Sequence, residues 1–193
     1  MSKIRLIGVA GPSGSGKSTV TKLLAAENPK VLRIKMDNYF HDPTAFPAIE
    51  GQPDWDIPAS LNFSLLFENL SDLKAGKKTA IPLFQKETLE RTYKTVEPQE
   101  IILAEGFLLY FDECIRDLFD LKFYIDTPED VQLGRRSQCD SARKEYIRTV
   151  VIPNYRKYGL PYKKYADILL DGTRSPDELR KEIERASLQD GKK

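Results

Sequence analysis

Cysteine is nearly missing from this chain of 193 residues: there are 2, Cys114 and Cys139, far apart and in no metal spacing. That excludes a disulfide-stapled scaffold and a Cys-rich zinc site, and it fits a reducing compartment. Neither sign of charge is in excess, with 30 Lys and Arg against 29 Asp and Glu. A nucleic-acid or membrane surface is therefore not expected as the main partner. Apolar runs long enough to span a bilayer are lacking, and the N-terminus enters a strand with no signal-peptide core. These absences lead to the expectation of a cytoplasmic protein. Internal repeats and low-complexity tracts are also absent, and the length suits one domain, 1–193, with a substantial core. Histidine occurs once, as His41, which reads as a surface residue of its loop.

What the chain does have is Gly11-Pro12-Ser13-Gly14-Ser15-Gly16-Lys17-Ser18, the phosphate-binding loop G-x-x-x-x-G-K-[ST]. Its glycines let successive backbone N–H groups point into one hollow that fits a polyphosphate. Lys17 adds charge for the β- and γ-phosphates, and Ser18 offers a hydroxyl to the Mg²⁺ that bridges them. An apolar strand over 4–10 and a helix over 19–27 flank the loop, so the helix turns its positive end to the same anion. ATP and Mg²⁺ are the cofactors this implies, held by Gly11, Ser13, Gly14, Ser15, Gly16, Lys17, Ser18 and Thr19.

Beyond the loop, strand-like and helix-like segments alternate. Strands are predicted over 31–36, 100–104, 121–126 and 167–170, with a short hairpin pair over 79–84 and 94–96. Helices are predicted over 60–75, 128–139, 141–158 and 176–188. This order gives an α/β fold, a three-layer sandwich with a mostly parallel sheet and helices on both faces. Ligands bind such sheets beyond the carboxyl ends of the strands, so the residues there carry the chemistry.

Asp37 follows the second strand and is the candidate general base, placed to take the proton of an attacking hydroxyl. Glu105 follows the apolar run Ile101-Ile102-Leu103-Ala104, the Walker B pattern; it would hold Mg²⁺ through water or touch the acceptor. Gly106 would let the chain approach the ligand. Arg135 and Arg136 sit on a helix that can close over the triphosphate and exclude water, with Arg143 and Arg148 as further members. In the loop Pro53-Asp54-Trp55-Asp56-Ile57-Pro58, Asp56 could accept from vicinal ribose hydroxyls and Trp55 could stack on a ring. Tyr155, Tyr158, Tyr162 and Tyr165 read as packing.

These residues resemble the uridine kinase family of P-loop nucleoside kinases, whose relatives include nicotinamide riboside kinases and phosphoribulokinase. The likeness rests on Gly11–Thr19, Asp37-Asn38-Tyr39-Phe40, Trp55–Ser60, Leu103–Tyr110 and Lys163–Leu170, which come in family order. It implies ATP-dependent phosphorylation of a nucleoside 5′-hydroxyl. Asp37 would be the base, Ser18 and Glu105 the Mg²⁺ neighbours, Asp56 a ribose ligand, and Arg135 and Arg136 lid residues. Tyr39 would line the acceptor site, as would Phe84 and Arg91 in the segment 81–91. The acceptor-binding insert spans about 38–98 and the lid about 128–145. The implied partner is a small-molecule nucleoside acceptor, with no nucleic acid and no membrane; a homo-oligomer is compatible with the chain.

Two departures mark this chain. Where uridine kinases carry a tyrosine and a histidine that read the pyrimidine, it has Phe84 and Leu89, which offer no side-chain hydrogen bond. The third arginine of the lid motif R-R-x-x-R-D is Cys139. Both lean toward nicotinamide riboside kinases, so that acceptor, or another small alcohol or sugar, stays open. A P-loop GTPase would need N-K-x-D and D-x-x-G, and an ABC-type ATPase L-S-G-G-Q; none occurs. A regulatory module that only holds nucleotide has no need of an acceptor-side base such as Asp37.

Overall fold

The apolar strands and the helices between them assemble as their alternation requires. The computed structural model describes residues 4–49, 51–136 and 141–189. β1 (Arg5–Ala10) runs through the glycine loop into α1 (Lys17–Glu27), and β2 (Val31–Lys35) follows. The chain then makes an excursion. It contains 3₁₀ turns at 36–39, 43–45 and 58–60, a small ladder of β3 (Ala48–Ile49) with β4 (Gln52–Pro53), helix α2 (Phe63–Lys74), and the hairpin of β5 (Thr79–Gln85) and β6 (Glu90–Val96). The chain returns through β7 (Ile101–Gly106), α3 (Glu113–Leu118), β8 (Leu121–Asp126) and α4 (Glu129–Arg136). Next come α5 (Ser141–Tyr146), a π-helical turn (Ile147–Val151), α6 (Ile152–Tyr158), a 3₁₀ stretch at 160–165, β9 (Ile168–Asp171) and α7 (Pro176–Gln189).

The central sheet is parallel throughout, in the order β2-β7-β1-β8-β9. Alternate residues feed two cores. Ile7, Val9, Leu103, Phe123 and Ile125 meet Val20 and Leu24 of α1 and Leu179 and Ile183 of α7. Leu6, Ile102, Ala104 and Tyr124 meet Leu66, Leu70 and Leu73 of α2, Ile115 of α3 and Tyr155 of α6. Burying each such large side chain contributes roughly 1.5–3 kcal/mol, which is why both faces of the sheet carry helices. The three-layer α/β sandwich is the one expected. No helix among the described residues is long and apolar enough to cross a membrane.

Local chemistry shifts some boundaries. α2 begins at Phe63 because Asn62 caps it, its Oδ1 accepting from Leu65 N at 3.0 Å, while Leu61 is held in a bridge to Phe40. The hairpin is longer than expected: Phe84 pairs with Arg91 and Gln85 with Glu90, leaving 86–89 as the turn. The helix predicted over 141–158 contains the π turn just before Pro153, whose missing N–H breaks the regular ladder. Helix α3 was not anticipated; Asp112 caps it, accepting from Ile115 N at 3.0 Å. The predicted helix over 128–139 is seen to Arg136, and 137–140, with Cys139, lie outside the described residues.

Register sets the geometry of the site. Ala10 lies opposite Gly106, and Lys35 opposite Glu105. The carboxyl ends of β1, β2 and β7 therefore finish level, and the glycine loop, Asp37 and Glu105 emerge along one edge of the sheet.

Candidate active site

The glycine loop has the shape its sequence demands. Gly14 and Gly16 take φ values of 84° and 89°, left-handed conformations that cost a side-chain-bearing residue about 1–2 kcal/mol. A Cβ on Gly14 would also stand 3.2 Å from the Gln132 carbonyl, so α4 packs directly on the loop. Gly16 is the N-cap of α1, with no side chain on the first free N–H groups of that helix. Lys17 is 8% exposed and donates to the Pro12 carbonyl at 3.2 Å. Ser15 Oγ is buried with no hydrogen-bond partner among the described residues. Backbone donors, a cation and an unspent hydroxyl at a helix start make a polyphosphate cradle. Ser13 faces the neighbouring cleft, and Thr19 is exposed on α1.

Beneath the loop, Ser18 Oγ donates to Glu105, 2.9 and 3.0 Å from the two carboxylate oxygens. Glu105 is 3% exposed and also accepts from Arg33 Nη2 at 2.7 Å. Arg33 in turn binds Thr21 Oγ1 at 2.9 Å and the Ser18 carbonyl at 3.2 Å. Ser18 and Glu105 form a pair of hard oxygen donors on the strand side of the cradle. That set fits Mg²⁺, which keeps water and phosphate ligands and does not need an all-protein cage. No group of three His, Cys, Asp or Glu among the described residues could provide such a cage. Glu105 does not line the cleft that lies next to the cradle.

Next to the cradle lies a cleft of about 310 Å³, lined by Ser13, Lys17, Asp37, Asp56, Lys86 and Arg136 among others. Asp37 is exposed in the 3₁₀ turn after β2 and faces the same space as Lys17. Aromatic rings form one wall. Trp55 meets Phe40 edge-on at 5.0 Å between centroids, and Phe84 at 6.0 Å; Phe107 stands 6.4 Å from Phe40. Burial pushes the Asp56 carboxyl above its usual range, against the pull of Arg136 and Lys86. A second space, lined by Pro53, Trp55, Asp56, Lys86, Arg136, Tyr146 and Ile147, continues outward past the same residues.

The helical cover is tied to both halves. Arg135 donates to the Gly14 carbonyl at 3.3 Å, and Arg136 lines the cleft. Asn154 of α6 donates to both oxygens of the buried Asp54 at 3.0 and 2.9 Å, anchoring the loop that carries Asp56. Arg148 is exposed, and the side chain of Arg143 lies outside the described residues.

Several expected residues are placed otherwise. Tyr39 does not line the cleft: it is 1% exposed and donates to Asn69 Oδ1 at 2.9 Å, with its pKa raised by burial. Arg91 braces the wall, donating to the Phe40 carbonyl with its guanidinium 5.4 Å from the Phe84 ring centre. Trp55 is present, but Lys86 Nζ sits 4.4 Å over its ring. Leu89 lies in the hairpin turn at φ 59°, 50% exposed, and is not a lining residue. Gly106 serves the core, because a Cβ there would stand 2.5 Å from Met36. Tyr155 is buried, and Tyr158 and Tyr162 pack on the same core.

Sequence reasoning missed Arg33, Lys86, Asp54 and Asn154. Arg33 had a signal, a cation in the middle of a strand between apolar Leu32 and Ile34. Lys86 had none, since a lysine in a polar turn is ordinary.

The chain as a whole is similar to known proteins. The model of the phosphoribulokinase / uridine kinase family matches residues 6–177. A uridine kinase of Streptococcus uberis is 33% identical over 178 residues, 86% of this chain and 85% of the relative. One from Macrococcus caseolyticus is 35% identical over 184 residues, 88% and 89% of the two chains. A solved structure named as a possible uridine kinase, from Bacillus stearothermophilus, superposes with a TM-score of 0.65 at 21% identity, covering 89% of this chain and 90% of that one.

Proposed function

The chain belongs to the phosphoribulokinase / uridine kinase family, and from that premise we propose that it transfers the γ-phosphoryl group of ATP to the 5′-hydroxyl of a ribonucleoside. One observation carries the reading. Lys17 and Ser13 of the phosphate loop share a single cleft with Asp37, Asp56 and an aromatic wall. The donor phosphate and a ring-bearing acceptor would meet there.

In this reading the loop amides and Lys17 bind and orient the triphosphate. Ser18 and Glu105 would hold Mg²⁺, which when bound spreads the developing phosphate charge. Asp37 accepts the proton of the acceptor hydroxyl as its oxygen bonds to phosphorus and the bond to ADP breaks. Asp56 accepts from the ribose hydroxyls, and Asn154 fixes its loop through Asp54. Arg135 and Arg136 close over the phosphates and exclude water. The insert about 38–98 is the acceptor module and the stretch about 128–145 the lid. The enzyme would work in the cytoplasm on a small molecule, with no nucleic-acid or membrane partner.

One observation favours a second acceptor: with apolar Phe84 in the cleft and Leu89 in the turn, neither position of the pyrimidine-reading pair offers a side-chain hydrogen bond. Nicotinamide riboside or a small alcohol or sugar is that alternative. ADP release is the test, with uridine, cytidine, nicotinamide riboside, ribose and pantothenate as acceptors. Turnover with a ribonucleoside supports the proposal, and transfer only to a non-nucleoside overturns it.

A further inference from the structure

Lys86 belongs to an exposed turn, yet its ammonium reaches back into the acceptor side of the cleft. It lies 4.4 Å over the Trp55 ring and 5.3 Å from the centre of Phe40. The Trp55 and Phe40 rings of the aromatic wall, on which a flat base could stack, are thus already matched to a cation. Both spaces of the site share Trp55, Asp56, Lys86 and Arg136. An acceptor with its hydroxyl at Asp37 and its ribose at Asp56 must therefore carry its base past Lys86 and Arg136.

We propose that Lys86 makes the acceptor site selective for a nucleoside with an uncharged base and turns away one whose base is a cation. This rests on the nucleoside-kinase reading and chooses within it. The local electrostatics run the same way. Burial lowers the pKa of Lys86, with Asp56 and Asp37 countering and Arg136 adding to the loss. Counting the whole lining, Asp37, Asp56 and Glu87 are set against Lys17, Lys35, Lys86 and Arg136, so the cleft carries no excess negative charge to welcome another cation. Two like charges about 6 Å apart, at an effective dielectric near 20, weaken an interaction roughly 100-fold.

A pair of acceptors with one outline and different charge isolates the effect. Nicotinamide riboside carries a pyridinium cation; its dihydro form is neutral. The wild-type enzyme should show a higher kcat/KM for the neutral form. Lys86→Met keeps the stem and removes the charge, and should shrink the neutral-to-cation ratio roughly 100-fold. Lys86→Arg keeps the charge and should keep the ratio. Because the residue lies in an exposed turn, both variants should melt close to wild type. If Lys86→Met lowers kcat/KM for both acceptors equally, Lys86 only straps Trp55 in place and the proposal falls. It also falls if the wild type uses the cation at least as well as the neutral form. If neither these nor uridine is phosphorylated, the nucleoside reading itself fails and takes the inference with it.

Discussion

Replacing Arg33 with methionine removes the cation from a carboxylate that solvent barely reaches. Glu105 is 3% exposed and Arg33 18%, with 2.7 Å between them. The variant would leave Glu105 with the Ser18 hydroxyl alone, and would also delete the Arg33 bonds to Thr21 and the Ser18 carbonyl. Removing one partner of a buried pair costs about 3–5 kcal/mol; the partial exposure of Arg33 places this case at the lower end, about 3. For a chain of this length 1 kcal/mol moves Tm by about 2–4 °C, so Arg33→Met should melt about 6–12 °C low. Circular dichroism melts of Arg33→Met, Glu105→Gln and the double variant close a thermodynamic cycle. In the double variant no stranded charge remains, so its loss should fall short of the sum of the single losses by about 1–3 kcal/mol. A melt of Arg33→Met indistinguishable from wild type, or strictly additive losses, would refute the reasoning. Either result would mean that Glu105 is not held as a buried anion by Arg33.

Four further outcomes are expected. Lys17→Ala should abolish phosphoryl transfer, and Asp37→Asn should retain ATP affinity while turnover falls roughly 10²–10⁴-fold; turnover kept at the wild-type level with the best acceptor removes Asp37 as the base. Asp56→Asn should weaken acceptor binding and raise stability at neutral pH. Burial lifts the folded-state pKa of Asp56, so the carboxyl favours the fold when protonated, and that contribution is lost as pH rises through the folded value. The Tm advantage of Asn should therefore vanish as pH falls below about 4, and a pH-independent difference would contradict the cause. Gly106→Ala must force a methyl against Met36, costing about 1–3 kcal/mol in a urea titration while ATP still binds; lost ATP binding in a fully stable variant would return Gly106 to the ligand site.

The alternating pattern was legible because it is local. A strand buried on both faces must read as an apolar run, and Ile4–Ala10, Glu100–Ala104 and Leu121–Asp126 do. The places where the reading slipped were governed by partners distant in sequence. Leu61 has helical spacing with Leu65 but is claimed by Phe40, and Tyr39 resembles a site residue but is claimed by Asn69 on α2. Leu89 counts correctly along the chain but falls in a turn whose position the pairing of Gln85 with Glu90 decides.

By itself the sequence determined the phosphate loop, because its function lies in backbone conformation and glycine is what permits φ near 84° and 89° at Gly14 and Gly16. It also determined the α/β order and the candidacy of Asp37, Asp56 and Glu105. Tertiary structure alone decided what each of those groups faces. Glu105 meets Arg33 because parallel β2 and β7 are neighbours, and Asp54 meets Asn154 across 100 residues. Lys86 reaches Trp55 only once the hairpin folds back over the loop. Charge, burial and hydrogen bonding act through space, so the protonation and orientation of a side chain follow from neighbours that spacing along the chain does not reveal.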